Sequence, residues 1–159
     1  MNNDFPEDGV RVPFAIINGG VTAAKGFRAN AVTCGIKNPT AERLDLALIV
    51  SDAPTVCDAA FTTNAVKAAP VRLSQEHLKA GSDIRAIIVN SGNANACTGI
   101  TGIQHAKAMA KGAAEQLGLC MKQVMIGSTG IIGMTMPIER ITTKIAALAE
   151  GLSSEGSDK

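Results

Sequence analysis

The sequence predicts a mixed α/β (α+β) fold, and three observations lead to this class. Short apolar runs typical of buried strands alternate along the chain with segments of helical periodicity. Hydrophobic residues make up 46% of the chain and charged residues 18%, which is the balance of a globular domain and not of a disordered segment. At 159 residues the chain is long enough for one domain that buries roughly two-thirds of its extended-chain surface.

Six strands are predicted, at residues 14–17, 31–36, 46–51, 59–63, 84–89 and 124–126. The last two are nearly continuous in apolar character, as is expected of strands that are covered on both faces. The six strands alternate with helical segments along the chain.

Three helices are predicted from apolar residues that recur every three or four positions. The clearest covers residues 104–117, and Gly118 is expected to end it. A second is expected to begin at Pro137, since the first helical turn does not need the N–H that proline lacks, and its apolar stripe continues to Leu152. A shorter helix is predicted from Ser74 to about Gly81.

The domain is expected to occupy residues 13–152. Residues 1–12 are polar and acidic and are predicted to be a flexible lead-in, and residues 153–159 are predicted to be a polar, solvated end. The start lacks the basic residues and apolar run of a signal peptide. No apolar run approaches the roughly 20 residues that cross a bilayer. We therefore expect a cytoplasmic protein without a membrane partner.

The composition argues against several classes of partner and cofactor. The 15 basic and 14 acidic residues leave a net charge of +1, which gives no electrostatic footprint for nucleic acid. Four cysteines are widely spaced without a Cys-x-x-Cys pair, which predicts reduced, mostly buried thiols in a cytosolic protein. Only two histidines are present, which argues against a zinc site. No cofactor and no metal are predicted.

A glycine-rich stretch follows the strand predicted at residues 124–126. Its glycines stand at 127, 130 and 133, which matches neither a dinucleotide fingerprint nor a Walker loop. The Ser128 and Thr129 hydroxyls lie beside glycines whose N–H groups a ligand can approach closely. Such neutral donors suit a carbonyl oxygen that becomes an oxyanion during acyl transfer. The alternative, which the residues alone favour, is a tight turn leading to the helix at Pro137.

A second unusual stretch, residues 90–99, reads Asn-Ser-Gly-Asn-Ala-Asn-Ala-Cys-Thr-Gly and also follows a buried strand. Asparagines tolerate left-handed backbone and bond to their own main chain, which favours an elaborate structural loop. The functional interpretation is that their amides line a pocket for a polar small molecule.

The remaining reactive side chains give weaker signals. Cys97 and His105 are a hypothetical nucleophile–base pair, although a cysteine beside an Ala-rich segment is more often structural. Asp45, Asp52 and Asp58 are scattered and show no paired acid/base signature. His77 has polar neighbours in sequence and is expected to be a solvated helix residue.

Read together, the segments resemble one family. The blocks that carry the resemblance are residues 26–37, 46–52, 60–71, 90–99 and the Ser-Thr-Gly-Ile-Ile-Gly stretch at 128–133. The chain is similar over about residues 13–152 to the ornithine acetyltransferases, also called glutamate N-acetyltransferases, of the cyclic arginine pathway. Because five blocks occur in the same order, chance agreement is a poor explanation.

The resemblance implies a fold and a reaction. The fold is a layered αββα-type sandwich shared with self-processing, N-terminal-nucleophile aminopeptidases. Family precursors cut themselves at an Ala-Thr bond, and the new N-terminal threonine of the β chain takes acetyl from N-acetylornithine and passes it to glutamate. Some members also accept acetyl-coenzyme A, and the αβ units form multimers. The family's oxyanion hole corresponds to Thr129 and Gly130.

The sequence also departs from the family pattern. It contains no Ala-Thr dipeptide and no Thr-Thr-Asp stretch, so neither the nucleophile nor the substrate-binding residues can be assigned in it. We therefore expect an incomplete α-chain portion that depends on a separate β chain. Two alternatives stay open, a non-catalytic binding module on the same scaffold and an independent acyltransferase that uses Cys97.

Overall fold

The computed structural model describes residues 19–81 and 83–158, which form a four-stranded sheet and four α-helices. The strands are β1 (Phe27–Val32), β2 (Leu46–Ser51), β3 (Ala86–Asn93) and β4 (Val124–Ile131). The helices are α1 (Ala69–Lys79), α2 (Gly99–Leu117), α3 (Ile138–Thr142) and α4 (Ile145–Glu150). The sheet order is β1-β2-β3-β4, antiparallel except for the parallel pair β3–β4. The predicted α/β (α+β) class is confirmed.

Side-chain alternation gives the sheet a covered face and an open face. Leu48, Ile88 and Val124 are fully buried in one core with apolar residues of the helices, including Met109 of α2. The alternate residues of each strand point to the opposite face of the sheet and are only partly covered. Ile87 of β3, for example, is 38% exposed. One sheet with helices over one face corresponds to one half of an αββα-type sandwich.

The strand predicted at 46–51 is confirmed as β2, but the one predicted at 31–36 is wrong, because β1 ends at Val32. Beyond that residue the N–H groups of Cys34 and Ile36 donate to the Asp45 carboxylate, at 2.6 and 2.7 Å. The Asp45 side chain thus accepts the main-chain N–H groups that would otherwise pair with a neighbouring strand.

The strand predicted at 59–63 is also wrong, since this stretch belongs to an irregular segment between β2 and α1. The Thr62 hydroxyl accepts the Asn64 N–H at 3.1 Å, and the Asn64 amide oxygen accepts the Val66 N–H at 2.8 Å. Such local side-chain bonds compete with sheet pairing. The strand predicted at 14–17 and the lead-in at 1–12 lie outside the described residues.

The predicted helices exist, with different bounds. α1 begins at Ala69 and not at Ser74, with Pro70 in its first turn, and α2 begins at Gly99. Gly118 adopts a left-handed conformation (φ 66°) and ends α2 as predicted.

The helix predicted to run on from Pro137 is divided into α3 and α4. The Thr142 and Thr143 hydroxyls donate to the Ile138 and Glu139 carbonyls, at 3.2 and 2.8 Å. Such back-bonding weakens and bends helices, which accounts for the break. The apolar stripe survives the break, because Ile145 is buried in the same core.

The last described residues pack against β1, so residues 153–158 are not a purely solvated end. Ala29 and Ser153 exchange two main-chain hydrogen bonds of 3.0 and 3.1 Å, and Gly156 is buried against the Ala29 carbonyl. Across the described part of the chain, no helix has the length and apolar character needed to span a membrane.

His77 is not solvated, contrary to the sequence-based expectation. It is 3% exposed on α1, and its Nδ1 lies 2.8 Å from the Val124 carbonyl oxygen. Because a carbonyl only accepts, Nδ1 carries the proton, and Nε2 is left buried without a hydrogen-bond partner among the described residues.

We expect His77→Ala to lower the free energy of unfolding by about 2–4 kcal/mol, because it removes this bond and leaves a cavity. His77→Asn keeps a donor near the Nδ1 position and should lose clearly less. Urea unfolding of both variants tests this, with the partly exposed His105→Ala as the control. Equal losses for the two His77 variants would contradict the assigned bond.

Candidate active site at the ends of β3 and β4

Both stretches singled out in the sequence lie at the carboxyl ends of the parallel strands β3 and β4. Ser91 pairs with Thr129, and Gly92 pairs with Gly130. The strands therefore run past their predicted ends at residues 89 and 126, and the prediction of a tight turn after residue 126 is wrong. A glycine inside a strand can mark either a bend or a close approach of another backbone. Here it marks the close approach of β4 to the backbone of β3.

Gly130 is the position of that close approach. Its φ is +133°, and a Cβ placed on it would lie 2.3 Å from the Gly92 carbonyl carbon. Residues that carry a side chain rarely adopt this backbone conformation. At this position nothing larger than a hydrogen atom fits between β3 and β4. Gly130 is therefore required by the pairing of β3 with β4 at the site.

The asparagines of the Asn-Ser-Gly stretch have a structural role, as their residue type favoured, and the alternative interpretation that their amides line a pocket is wrong. Asn90, Asn93 and Asn95 are buried, and each side-chain amide donates to a main-chain carbonyl. The Asn93 amide reaches the Met134 carbonyl at 3.1 Å, and the Asn95 amide reaches the Gly102 carbonyl at 2.8 Å. These bonds tie the end of β3 to the segment after β4 and to α2.

A cavity of about 470 Å³ opens beside the paired strand ends. The strands contribute Ser91, Gly92, Thr129, Gly130 and Ile131 to its lining. The connection between β1 and β2 contributes Lys37, Asn38, Ala41, Arg43 and Asp45. The structure thus brings together both residues predicted for the oxyanion hole and adds charged residues that sequence reasoning did not place there.

Thr129 carries a free hydroxyl into this cavity. Strand alternation puts its side chain on the open face of the sheet, opposite the helices that bury Val124 and Ile126. The residue is exposed, and its Oγ1 makes no hydrogen bond to any other described residue. It is available as a donor to a bound molecule.

The first residues of β4 direct main-chain groups to the outer edge of the sheet, as their contacts with α1 indicate. The Ser74 hydroxyl bonds both the N–H and the C=O of Ile126 at 3.0 Å, and His77 bonds the Val124 carbonyl. The main-chain groups of Val124 and Ile126 therefore point away from β3, and α1 covers this edge of β4 where the strand begins.

The connection between β1 and β2 is fixed at the cavity by two charged side chains. Both oxygens of the Asp45 carboxylate accept main-chain N–H groups, those of Cys34 and Ile36. Arg140 of α3 donates to the Gly35 carbonyl at 2.7 Å. Asp45 is therefore an anchor for the segment that carries Lys37, and it is not placed as a general base.

Cys34 is held as a thiol by its surroundings. Burial, and secondarily the Asp45 carboxylate, raise the pKa of Cys34 to about 11, and nearby Lys144 opposes the shift. A group with this pKa is not a nucleophile at neutral pH.

Cys34 gives a testable dependence of stability on pH. Between its ordinary pKa of 9.0 and about 11, the unfolded chain has lost the Cys34 proton while the folded chain keeps it. The free energy of unfolding therefore falls as pH rises through this range. We expect Cys34→Ser, which has no titrating thiol, to lose less stability between pH 9 and 11 in urea unfolding. Parallel pH curves for the two proteins would contradict the raised pKa.

The other reactive residues do not form a second site. Cys97 and Cys120 are exposed and Cys34 and Cys57 half-buried, so the prediction of mostly buried thiols is wrong. No hydrogen bond joins Cys97 to His105 within the described residues. Asp52 pairs with Arg28 at 2.7 Å, and Asp58 accepts the Ala59 N–H at 2.8 Å. The described residues contain no group of three potential metal ligands.

Comparison with known proteins identifies the relatives of this chain. A sequence model of the ArgJ family matches residues 28–158. The arginine biosynthesis bifunctional protein ArgJ of Geobacter sulfurreducens is 50% identical over 135 residues, which are 85% of this chain and 34% of that protein. The protein of the same name from Gloeobacter violaceus is 46% identical over 145 residues, which are 91% of this chain and 35% of that protein.

Two solved structures share the fold at 39% identity. Ornithine acetyltransferase from Mycobacterium tuberculosis, crystallised in complex with ornithine, has a TM-score of 0.81 over 88% of this chain and 75% of that one. ArgJ from Bacillus halodurans has a TM-score of 0.78 over 87% of this chain and 71% of that one. The chain spans about a third of the length of the curated relatives it matches. Because the family model matches residues 28–158, we conclude that the chain belongs to the ArgJ family.

Proposed function

We propose that this chain is the α-chain portion of a glutamate N-acetyltransferase of arginine biosynthesis and supplies its oxyanion hole. The observation that carries the proposal is the free Thr129 hydroxyl, which lines a cavity together with the adjacent Gly130. Two neutral donors on one side of a cavity are suited to the oxygen of a tetrahedral acyl intermediate.

In the proposed reaction, the nucleophile is an N-terminal threonine of a separate β chain. Its hydroxyl oxygen attacks the acetyl carbonyl of N-acetylornithine, the carbon–nitrogen bond breaks, and ornithine leaves with the proton on its amine. The amine of glutamate then attacks the acetyl ester, and the threonine hydroxyl is restored. Both steps pass through an oxyanion that Thr129 and Gly130 would stabilise.

The lengths of the relatives support a divided polypeptide. The same stretch covers 71–75% of the solved chains but about a third of the curated proteins. This difference fits a precursor that is cut into an α and a β chain. We expect the two chains to assemble as a multimer of αβ units in the cytoplasm, with acetyl-coenzyme A as an additional donor in a bifunctional enzyme.

The experiment is to produce the chain together with the remainder of its precursor and to measure intact masses and acetyl transfer. We expect two polypeptides, the second beginning with threonine, and transfer of acetyl from N-acetylornithine to glutamate. With N-acetylornithine alone, the acetyl mass should appear on the second polypeptide only. One uncut polypeptide without transfer would favour the non-catalytic binding module. Acetyl on Cys97 would favour the cysteine-dependent acyltransferase.

A further inference from the structure

The connection between β2 and α1 contains a long stretch without helix or strand, residues 53–67, which we call the β2–α1 segment. None of its main-chain groups forms a hydrogen bond with another main-chain group of the described residues. Connections longer than about 12–15 residues without secondary structure are uncommon in compact domains, and they are usually either disordered or functional. The composition of the segment and the contacts at its ends decide between the two.

The composition of the β2–α1 segment is not that of a disordered chain. Only two of its residues, Asp58 and Lys67, are charged, and their charges are opposite, whereas disordered segments combine low hydrophobicity with high net charge. Its apolar side chains include Val56, which is fully exposed, and Val66, which is 70% exposed. Few charges and exposed apolar side chains are typical of the core of a protein–protein interface. The composition therefore favours a segment that another polypeptide covers.

Both ends of the β2–α1 segment are fixed beside β3. Near its start the Thr55 hydroxyl donates to the Ile84 carbonyl, just before β3 begins. Just after its end the Ala69 N–H donates to the Asn95 carbonyl at 3.2 Å, where β3 has ended. The segment therefore runs from one end of β3 to the other, and it finishes at the strand ends where Thr129 lines the cavity. A polypeptide bound along it is brought to the candidate active site.

The middle of the β2–α1 segment has main-chain groups that are available to an added strand. The N–H groups of Ala60 and Thr63 have no hydrogen-bond partner among the described residues, and both residues are exposed. The aromatic residue and the two threonines of the Ala-Ala-Phe-Thr-Thr sequence at 59–63 are types that pair well in sheets. An extended peptide of this kind can join the edge strand of a partner, and main-chain hydrogen bonds then supply the affinity.

We propose that the β2–α1 segment docks the remainder of the precursor, and that residues 59–63 pair through their main chain with an edge strand of that partner. The inference rests on the proposed function, which places the nucleophile on a separate β chain that must reach Thr129. The chain spans about a third of the length of its curated relatives, so the rest of such a precursor is long enough to supply this strand. A second copy of this chain would bring no nucleophile to the cavity.

The test uses Ala60→Pro and Thr63→Pro in the assembly of this chain with the remainder of its precursor. Proline lacks the N–H that an added strand would bond, and it is not tolerated in the middle of a sheet. Because main-chain groups alternate between the two edges of a strand, the N–H groups of residues 60 and 63 point to opposite edges. At least one variant should therefore raise the Kd for the remainder of the precursor about tenfold or more. Ala60→Gly and Thr63→Ala keep the N–H and should stay within about twofold of wild type.

Hydrogen exchange gives a second measurement on the same residues. In the assembly, alternate N–H groups of residues 59–63 should exchange about a hundredfold more slowly than in this chain alone. Thermal unfolding identifies a proline variant that has lost its fold. Val66→Ser then replaces it, because it changes a side chain that is exposed in this chain, and it should also weaken the assembly.

Neither association nor hydrogen exchange requires turnover. An assembly that transfers no acetyl group therefore contradicts the proposed function, while these two measurements still decide the role of the segment. An unchanged Kd in both proline variants, or equally fast exchange with and without the partner, would overturn the proposal. Slow exchange in this chain alone would also overturn it. If that protection rises with protein concentration, the occupant is a second copy of the chain, and if it does not, the contact lies within one chain.

Discussion

Thr129→Val is expected to lower kcat of the assembled acetyltransferase by about a hundredfold or more. Valine keeps the volume and the branched shape of threonine, so the change removes the hydroxyl with little effect on β4. The Thr129 hydroxyl has no partner among the described residues, and for this reason its loss leaves no other group unpaired. A donor that binds the oxyanion acts mainly in the transition state, so KM should change little.

Three controls sharpen this prediction. Thr129→Ser keeps a hydroxyl and should retain most of the activity. Thr135→Val alters an exposed threonine outside the cavity lining and should leave kcat unchanged. Urea unfolding should place all three variants near the wild type. If Thr129→Val keeps activity within about twofold of wild type, Thr129 is not an oxyanion donor.

The sequence predicts best those elements whose apolar pattern is decided locally. β2 is predicted to the residue, since its apolar run is bounded by polar residues at both ends. The end of α2 follows from Gly118, because a left-handed residue stops a helix whatever packs around it. The end of β1 could not be predicted in this way, since it is set by Asp45, which follows Val32 only after an intervening connection.

The same distinction between local and long-range determinants applies to the residues of the candidate site. Thr129 and Gly130 could be named from a motif, because the two residues are adjacent in the chain. Lys37 and Arg43 reach the cavity because the β1–β2 connection folds over the end of β3, which no local pattern records. For His77 the local pattern is misleading. Its neighbours in sequence are polar, which predicts a solvated side chain, but the side chain is buried and bonds to the Val124 carbonyl.

The second large effect is expected from Gly130→Ala, which should lower the free energy of unfolding by about 2–5 kcal/mol. The first contribution is the left-handed backbone at φ +133°, which disfavours any Cβ. The second is overlap with the Gly92 main chain, where the Cβ would lie 2.3 Å from the carbonyl carbon. A main-chain atom cannot rotate aside as a flexible side chain does, so β3 and β4 must separate at the site.

Gly133→Ala is the matched control for this effect. Gly133 also has a positive φ, +80°, but a Cβ placed on it meets no heavy atom within 4 Å. This variant should therefore lose only about 1–2 kcal/mol, the cost of the left-handed conformation alone. Urea unfolding compares the two variants, and equal losses would show that β3 and β4 do not meet closely at Gly130. If Gly130 belongs to the proposed oxyanion hole, acetyl transfer should be abolished in Gly130→Ala alone, because only that substitution displaces the end of β4 that lines the cavity.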